Sequence, residues 1–328
     1  MANKASNKFL RKASKTKEDE FYTQLADIES EIKHYKDQFR GKVVFCNCDD
    51  PKESNFVKYF SMNFEHLGLK KLLATHYKEA NLFTKESPYK LEYTGDKNGN
   101  RMPDPEEFIT KMIGTGDFRS EESIELLKAA DIVVTNPPFS MFREYVAQLE
   151  KYNKKFLIIG NTNSMTYKEI FRLFKENRIR TGYTNFNVGM FFIVPDYWEK
   201  FHHIDEDGNK IARVSTSCWF TNLEVEKHKG NIVLYKKFNP EEYPKYDSYD
   251  AINVNKVSDI PMDYKGAIGV PITFLDKYNP DQFEILDGLN RYSILAGPTE
   301  ETKGKYLAQV NGKPTYVRIV IKNKKVTK

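Results

Sequence analysis

Apolar residues recur along the first part of the chain in two rhythms. Phe21, Leu25, Ile28, Ile32, Tyr35 and Phe39 follow one another at steps of four and three, the spacing of one helical face, and Gly41 ends that helix. Val43-Val44-Phe45-Cys46 comes next as an unbroken apolar run, the mark of a strand covered on both faces. Asp50, Pro51 and Glu53 then read as N-cap, first-turn proline and capping-box acid. Phe56, Phe60, Phe64 and Leu67 supply the buried face of the next helix, Gly68 its stop, and Leu72-Leu73-Ala74-Thr75 a second strand. Residues 78–111 interrupt the rhythm, with Asn98-Gly99 as a hairpin turn and Pro103 and Pro105 in a loop.

The alternation then resumes. The pattern predicts a helix over 121–130, a strand at Ile132-Val133-Val134-Thr135, a helix over 139–151, a strand at Phe156-Leu157-Ile158-Ile159 and a helix over 166–177. Runs at 189–194 and 217–222 read as further strands of the same sheet. Such an order predicts an α/β fold with a mostly parallel sheet covered on both faces. From about residue 223 the helical period weakens and prolines and tyrosines become frequent, as in Tyr243-Pro244-Lys245-Tyr246 and Tyr249. Residues 18–222 are therefore expected to form one domain and 223–328 a smaller α+β domain.

Composition narrows the class. With 40% apolar and 30% charged residues the chain can bury a sizeable core. No apolar stretch is long enough to span a membrane. The basic N-terminus is not followed by the apolar run of a secretory signal, so a cytoplasmic protein is expected. Three cysteines, Cys46, Cys48 and Cys218, suit a reducing compartment rather than a disulfide framework.

The net charge of +5 is unevenly placed. Residues 1–17 carry Lys4, Lys8, Arg11, Lys12, Lys15 and Lys17 and no acid, and residues 322–328 carry four more lysines. Without those ten, 41 basic residues face 46 acidic ones, so an acidic body is flanked by basic tails. An arm of this kind suits a phosphate backbone, where each neutralised phosphate releases counterions; a purely solubilising tail is the other reading.

The chemistry concentrates in Asn136-Pro137-Pro138-Phe139, directly after the predicted strand at Ile132. In an open parallel sheet that edge is where ligands bind. A proline-stiffened turn capped by Asn136 would need neither the second proline nor the aromatic. Methylation of a planar amine accounts for all four. The lone pair of an aryl amine is delocalised into its ring, and two acceptors aimed at the amino hydrogens localise it. Asn136 Oδ1 and the Pro137 carbonyl supply them, the prolines hold them aligned, and Phe139 stacks on the base. A base must leave the duplex to reach such a pocket. The methylated nitrogen is cationic and sheds its proton readily, so the step requires no dedicated base.

The tetrad is the motif of amino-methyltransferases acting on DNA, and the chain resembles the EcoRI-type family of adenine-specific DNA methyltransferases over nearly its whole length. The resembling blocks include Asp19-Glu-Phe-Tyr22-Thr23-Gln24, Phe45-Cys-Asn-Cys-Asp-Asp50-Pro51, Gly116-Asp117-Phe118-Arg119-Ser120, Lys155-Phe-Leu-Ile-Ile-Gly-Asn161, Tyr243-Pro-Lys-Tyr-Asp247 and Gly269-Val-Pro-Ile-Thr-Phe274. The resemblance implies a Rossmann-like S-adenosylmethionine-dependent methyltransferase sheet with a C-terminal target-recognition domain. It implies cofactor contacts at Tyr22 and Thr23, at Asn47 and Asp49, and at Asp117 and Phe118. Double-stranded DNA is the implied substrate and a cognate restriction endonuclease a possible companion, with the protein a monomer. The chain departs from the common pattern twice. Its first cofactor loop contains no glycine, and Thr75-His76-Tyr77 stands where an acid for the ribose hydroxyls is usual.

Other motifs are less specific. Cys46-x-Cys48 lacks the ligand set for zinc, and His202-His203-Ile204-Asp205-Glu206-Asp207-Gly208 reads as an exposed turn, so no metal is expected. Tyr243, Tyr246 and Tyr249 suit either nucleic-acid contact or a small core. Methylation of cytosine N4 or of protein glutamine, and a non-catalytic DNA-binding role, are the rival functions. Deleting residues 1–17 is expected to weaken duplex binding and to lower the salt slope by up to about 0.9 for each phosphate no longer neutralised; unchanged titrations at several salt concentrations would make the arm decorative.

Overall fold

The computed structural model describes residues 22–75, 77, 87–96, 108–302 and 305–326. The basic arm 1–17, Phe21, His76, the Asn98-Gly99 turn and Pro103 and Pro105 lie outside the described residues. Strands β1 (Tyr22–Thr23), β2 (Val43–Cys46), β3 (Lys71–Thr75), β4 (Tyr89–Tyr93), β5 (Ile109–Lys111), β6 (Ile132–Thr135), β7 (Lys155–Asn161), β8 (Met190–Val194), β9 (His203–Ile204), β10 (Lys210–Val214) and β11 (Ser217–Thr221) share one compact unit. Helices α1 (Leu25–Ile32), α2 (Asn55–Met62), α3 (Glu121–Ala129) and α4 (Phe142–Lys151) belong to it as well. This unit ends its first stretch at Asn161 and resumes over Gly182–Glu224; Thr162–Thr181 and the residues from Val225 onward form a second unit.

The main sheet of the first unit runs β5-β4-β3-β2-β6-β7-β11. β2 pairs in parallel with β3 and β6, and β6 with β7; the flanking β4, β5 and β11 are antiparallel. Every residue of β2 and β6 is buried, which is why these strands are unbroken apolar runs in the sequence. Asp131 fixes their register: its carboxylate accepts from Val43 N at 2.8 Å and its own N–H donates to Val43 O at 2.9 Å. From β2 the chain moves outward to β3, then returns to the other side of β2 as β6. Loops leaving the carboxyl ends of two such strands diverge, and the crevice between them is where sheets of this kind take ligands.

Helix faces follow the predicted spacing. Ile28 and Ile32 of α1, with Tyr35 and Phe39 beyond it, are at most 1% exposed. Phe56 of α2 meets Trp219 of β11 edge-on at 6.0 Å, and Phe142 of α4 lies 5.0 Å from Phe220. The cap of α2 differs from expectation. Ser54, not Asp50, is the N-cap, its Oγ accepting from Phe56 N at 3.1 Å. Asp50 instead closes a turn by accepting from Lys52 N at 2.8 Å.

The apolar run at 189–194 also differs. As β8 it leaves the main sheet and joins a second one of order β1-β8-β10-β9, with Thr23 opposite Phe192 and Tyr22 opposite Ile193. The run at 217–222 does enter the main sheet, as β11 beside β7.

The second unit carries a four-stranded sheet in the order Ile252–Asn253, Ile268–Pro271, Arg318–Asn323, Phe283–Leu289. Helix Lys168–Lys175, with Ile170, Phe171 and Phe174 buried, lies against it: the Phe171 ring sits beside Gly288, and Lys175 Nζ donates to Leu286 O at 2.8 Å. Tyr243 and Tyr246 are each 5% exposed and donate to Asp259 O and Asn253 Oδ1. Tyr249 packs on the same cluster, so these tyrosines build core. Among the described residues no helix is long and apolar enough to cross a membrane, and no cluster of His, Cys, Asp or Glu is placed to hold a metal.

Gly160 of β7 tests the fit between α4 and the sheet. A Cβ there would sit 2.7 Å from Phe142 Cζ and 2.9 Å from Phe220 Cε2. Gly160→Ala is expected to cost about 1–3 kcal/mol through overpacking, read from denaturant midpoints; an unshifted midpoint would mean the rings yield freely.

Candidate active site

The tetrad begins where β6 ends. Thr135 is fully buried, Asn136 is half-buried with its Oδ1 sealed from solvent, and Pro137 is buried. Pro138 has φ −55° and ψ 123°, and Phe139–Met141 form a single 3-10 turn that leads into α4. Two successive prolines remove two backbone N–H donors and fix φ, so the chain passes from strand to helix along one path. Phe139 meets Phe192 of β8 edge-on at 6.5 Å.

The glycine-free loop after β2 is held by side chains. Asp49 is 8% exposed; one carboxylate oxygen accepts from Ser54 Oγ at 2.8 Å, and the other accepts from Thr135 Oγ1. Asn47 is 2% exposed, and its Oδ1 accepts from the Tyr145 hydroxyl of α4. Thr75 Oγ1 donates to the Asn47 carbonyl at 3.2 Å. Strand β3, strand β6 and helix α4 thus all reach the same short loop. Burial pushes the Tyr145 hydroxyl well above its ordinary pKa, so it stays protonated and donates. Burial, with Asp49 and Cys48 nearby, does the same to the Cys46 thiol and makes it a packing residue.

Phe118 comes against the same helix, with Asp117 just before it in the chain. Phe118 is 4% exposed and lies edge-on to Tyr145 at 5.1 Å, and its carbonyl accepts from Gln148 Nε2 at 2.9 Å. The Asp117 carboxylate accepts from the backbone N, Nε and Nη2 of Arg119 at 2.8, 2.8 and 2.6 Å.

Tyr22 and Thr23 enter through β1. Tyr22 is 40% exposed, whereas Thr23 is 3% exposed and its carbonyl accepts from Asn55 Nδ2 at 2.8 Å. Thr23 Oγ1 and Asn47 Nδ2 are buried polar atoms with no hydrogen-bond partner among the described residues. Leaving such a group unsatisfied costs about 1–3 kcal/mol, and sites that receive a polar ligand commonly hold groups in this state.

A further set of residues was not singled out by the sequence. Glu31 of α1 is fully buried and accepts from Tyr35 OH (2.5 Å), Tyr183 N (2.5 Å), Thr184 N (2.6 Å) and Thr184 Oγ1 (2.6 Å). Asp27, one turn earlier, accepts from Asn185 Nδ2 at 3.0 Å and from Phe191 N at 3.4 Å. Together they secure the segment leading into β8, and with it Phe192 behind Phe139. Ser54, Thr135 and Tyr145 were likewise unmarked; Tyr145 fell only within the helix expected over 139–151.

The model of the family described as "Adenine-specific methyltransferase EcoRI" matches residues 9–324. The chain is 49% identical to the type II methyltransferase M.EcoRI of Escherichia coli, with all of both chains covered. It is 40% identical to the type II methyltransferase M.MgeORF184P of Mycoplasma genitalium and 38% identical to M.MpnI of Mycoplasma pneumoniae, over 96% of this chain and 98% of each relative. No solved structure matches it significantly.

Thr135→Val removes one donor from the buried Asp49 carboxylate while keeping the side-chain shape. Unfolding free energy is expected to fall by about 1.5–3 kcal/mol, with Thr135→Ser restoring most of it. Equal stability of all three proteins would show that the Asp49–Thr135 bond adds nothing.

Proposed function

Because the chain belongs to the EcoRI family of adenine-specific methyltransferases and is a site-specific DNA adenine-N6 methyltransferase dependent on S-adenosylmethionine, we propose that Asn136, Pro137, Pro138 and Phe139 are its catalytic residues. The observation that carries this assignment is the place of Asn136, which directly follows β6 where the strand order reverses. In this reading the target adenine is flipped from the duplex. Asn136 Oδ1 and the Pro137 carbonyl accept its two amino hydrogens, and Phe139 stacks on its ring. Held this way, the amine lone pair is localised and aimed at its electrophile. Phe192, anchored through Asp27 and Glu31, backs the stacking ring.

S-adenosylmethionine supplies, when bound, a methyl group activated by a sulfonium. The buried and unbonded Thr23 Oγ1 and Asn47 Nδ2 fit a polar ligand, and we assign them to the cofactor together with Tyr22, Asp117 and Phe118. Asp49 belongs to the same site, acting by fixing the loop, since Ser54 and Thr135 occupy both of its oxygens. A loop pinned by hydroxyl donors takes over the shaping that glycine provides in looser loops. The parallel core of the first unit is read as a Rossmann-like methyltransferase sheet, and the second unit as the target-recognition domain. The class of the relatives, type II methyltransferases, supports a place in a restriction–modification system; a monomeric enzyme working on duplex DNA in the cytoplasm completes this reading.

With labelled S-adenosylmethionine and duplex DNA, label is expected on adenine N6 within one short sequence. Asn136→Ala is expected to lower kcat by about 10²–10³-fold, as for other transition-state acceptors and donors, with cofactor affinity nearly unchanged. Label in protein alone would overturn the substrate, and lost cofactor affinity in the variant would reassign Asn136 to cofactor binding.

A further inference from the structure

Within the second unit, Gln309–Val310 and Lys313–Pro314 form a small antiparallel hairpin. Its turn residues Asn311 and Gly312 have φ of 50° and 72°, the signature of a tight I′ turn. Asp247 holds that turn from outside. Its carboxylate accepts from Asn311 N and Gly312 N at 2.8 Å each and from Gln309 Nε2 at 3.1 Å, and its own N–H donates to Gln309 O. Those bonds keep the carboxyl below its usual pKa, so the clamp stays closed at neutral pH.

The hairpin leads to Tyr316, whose side chain is 89% exposed. Its backbone is the opposite of free: the carbonyl accepts from Arg318 Nη1 at 3.2 Å and from Thr315 Oγ1 at 3.0 Å, and Thr315 N donates to Ala308 O at 2.7 Å. A large aromatic presented to water from a fixed backbone costs little entropy when it binds. Arg318 beneath it is 7% exposed and donates to the oxygens of Asn253, Asn255 and Tyr316.

The neighbouring segment continues the pattern. Leu307 N and Ala308 N donate to Arg291 O and Asn290 O, which brings Arg291 and the 42% exposed Tyr292 alongside. Residues 288–298 and 305–317 contain Arg291, Lys305 and Lys313 and no acid, and all three cations are exposed. The carboxylate at the turn, Asp247, is engaged by the backbone N–H groups of Asn311 and Gly312, and a rigid two-stranded ribbon with exposed cations and aromatics suits duplex DNA, whose major groove admits such a ribbon.

We propose that the 309–314 hairpin and Tyr316 form a DNA-reading edge of this enzyme, with Tyr316 packing on a base or deoxyribose and Lys313 and Arg291 on phosphates. It rests on the reading of the second unit as the target-recognition domain. Asp247 acts as the positioning residue that sets the ribbon's shape.

The test uses full-length protein, a duplex carrying the mapped methylation site and a scrambled duplex of equal length. Tyr316→Ala is expected to raise the Kd for the site duplex by about 5- to 100-fold, the range for removing one aromatic that stacks on a base, with a smaller effect on the scrambled duplex. Tyr316→Phe should bind like the parent, and cofactor affinity and the thermal midpoint should not move. Lys313→Ala should weaken both duplexes and lower the salt slope by about 0.9. An unchanged site Kd in Tyr316→Ala, an equal loss on both duplexes, or a loss that phenylalanine does not restore would overturn the proposal. Failure of the domain reading is a separate outcome: if the parent protein methylates a DNA site but hydrogen exchange finds no protection anywhere in residues 225–326 on that site, that reading falls and the hairpin proposal falls with it.

Discussion

A carboxylate taken out of water must be met by donors, and Asp49 is met by two hydroxyls from different parts of the chain. Ser54 belongs to the cap of α2, Thr135 to the last position of β6. Satisfying one buried charge therefore sets the distance between the loop after β2 and the strand that delivers Asn136. Asn47, two residues earlier, is bound in the same way by Tyr145 from the helix that follows the tetrad. Much of the candidate site's geometry descends from the cost of leaving these groups unsatisfied.

The sequence made the parallel strands legible because burial on both faces leaves no alternation to misread, as in Val43–Cys46 and Ile132–Thr135. It was less informative about partners. Met190–Val194 is apolar at every position, yet only Met190, Phe192 and Val194 are buried. Nothing in that run announced pairing with the two-residue strand at Tyr22 in place of the main sheet. Asp50 was the cap that local chemistry suggested, and Ser54 takes the position in the structure. Ser54 prevails because its hydroxyl serves Asp49 and Phe56 N at once, while Asp50 is engaged by Lys52 N and the Tyr89 hydroxyl.

The tetrad could be found by its composition, but its supports could not. Glu31, Thr135 and Tyr145 are ordinary residues at ordinary helix and strand positions, and their partners stand 152, 86 and 98 residues away. Sequence spacing reports periodicity within an element and is silent on contacts of that range. The tyrosines at 243 and 246 show the converse. Their composition suited a binding surface and a small core equally, and burial assigns them to the core.

The division of the chain into units bears on how such a protein can change. The second unit is not a tail appended at Val225, because Thr162–Thr181 belongs to it as well. The polypeptide passes between units at three points, and helix Lys168–Lys175 sets Phe171 beside Gly288 and Lys175 against Leu286 in the later one. A relative could not acquire a new second unit by exchanging one terminal block of its gene. It would have to inherit two separated blocks together, or keep a helix whose apolar face no longer matches its bed. Modularity in this family is thus limited by chain threading, and divergence should proceed by substitution on a shared frame more readily than by domain exchange.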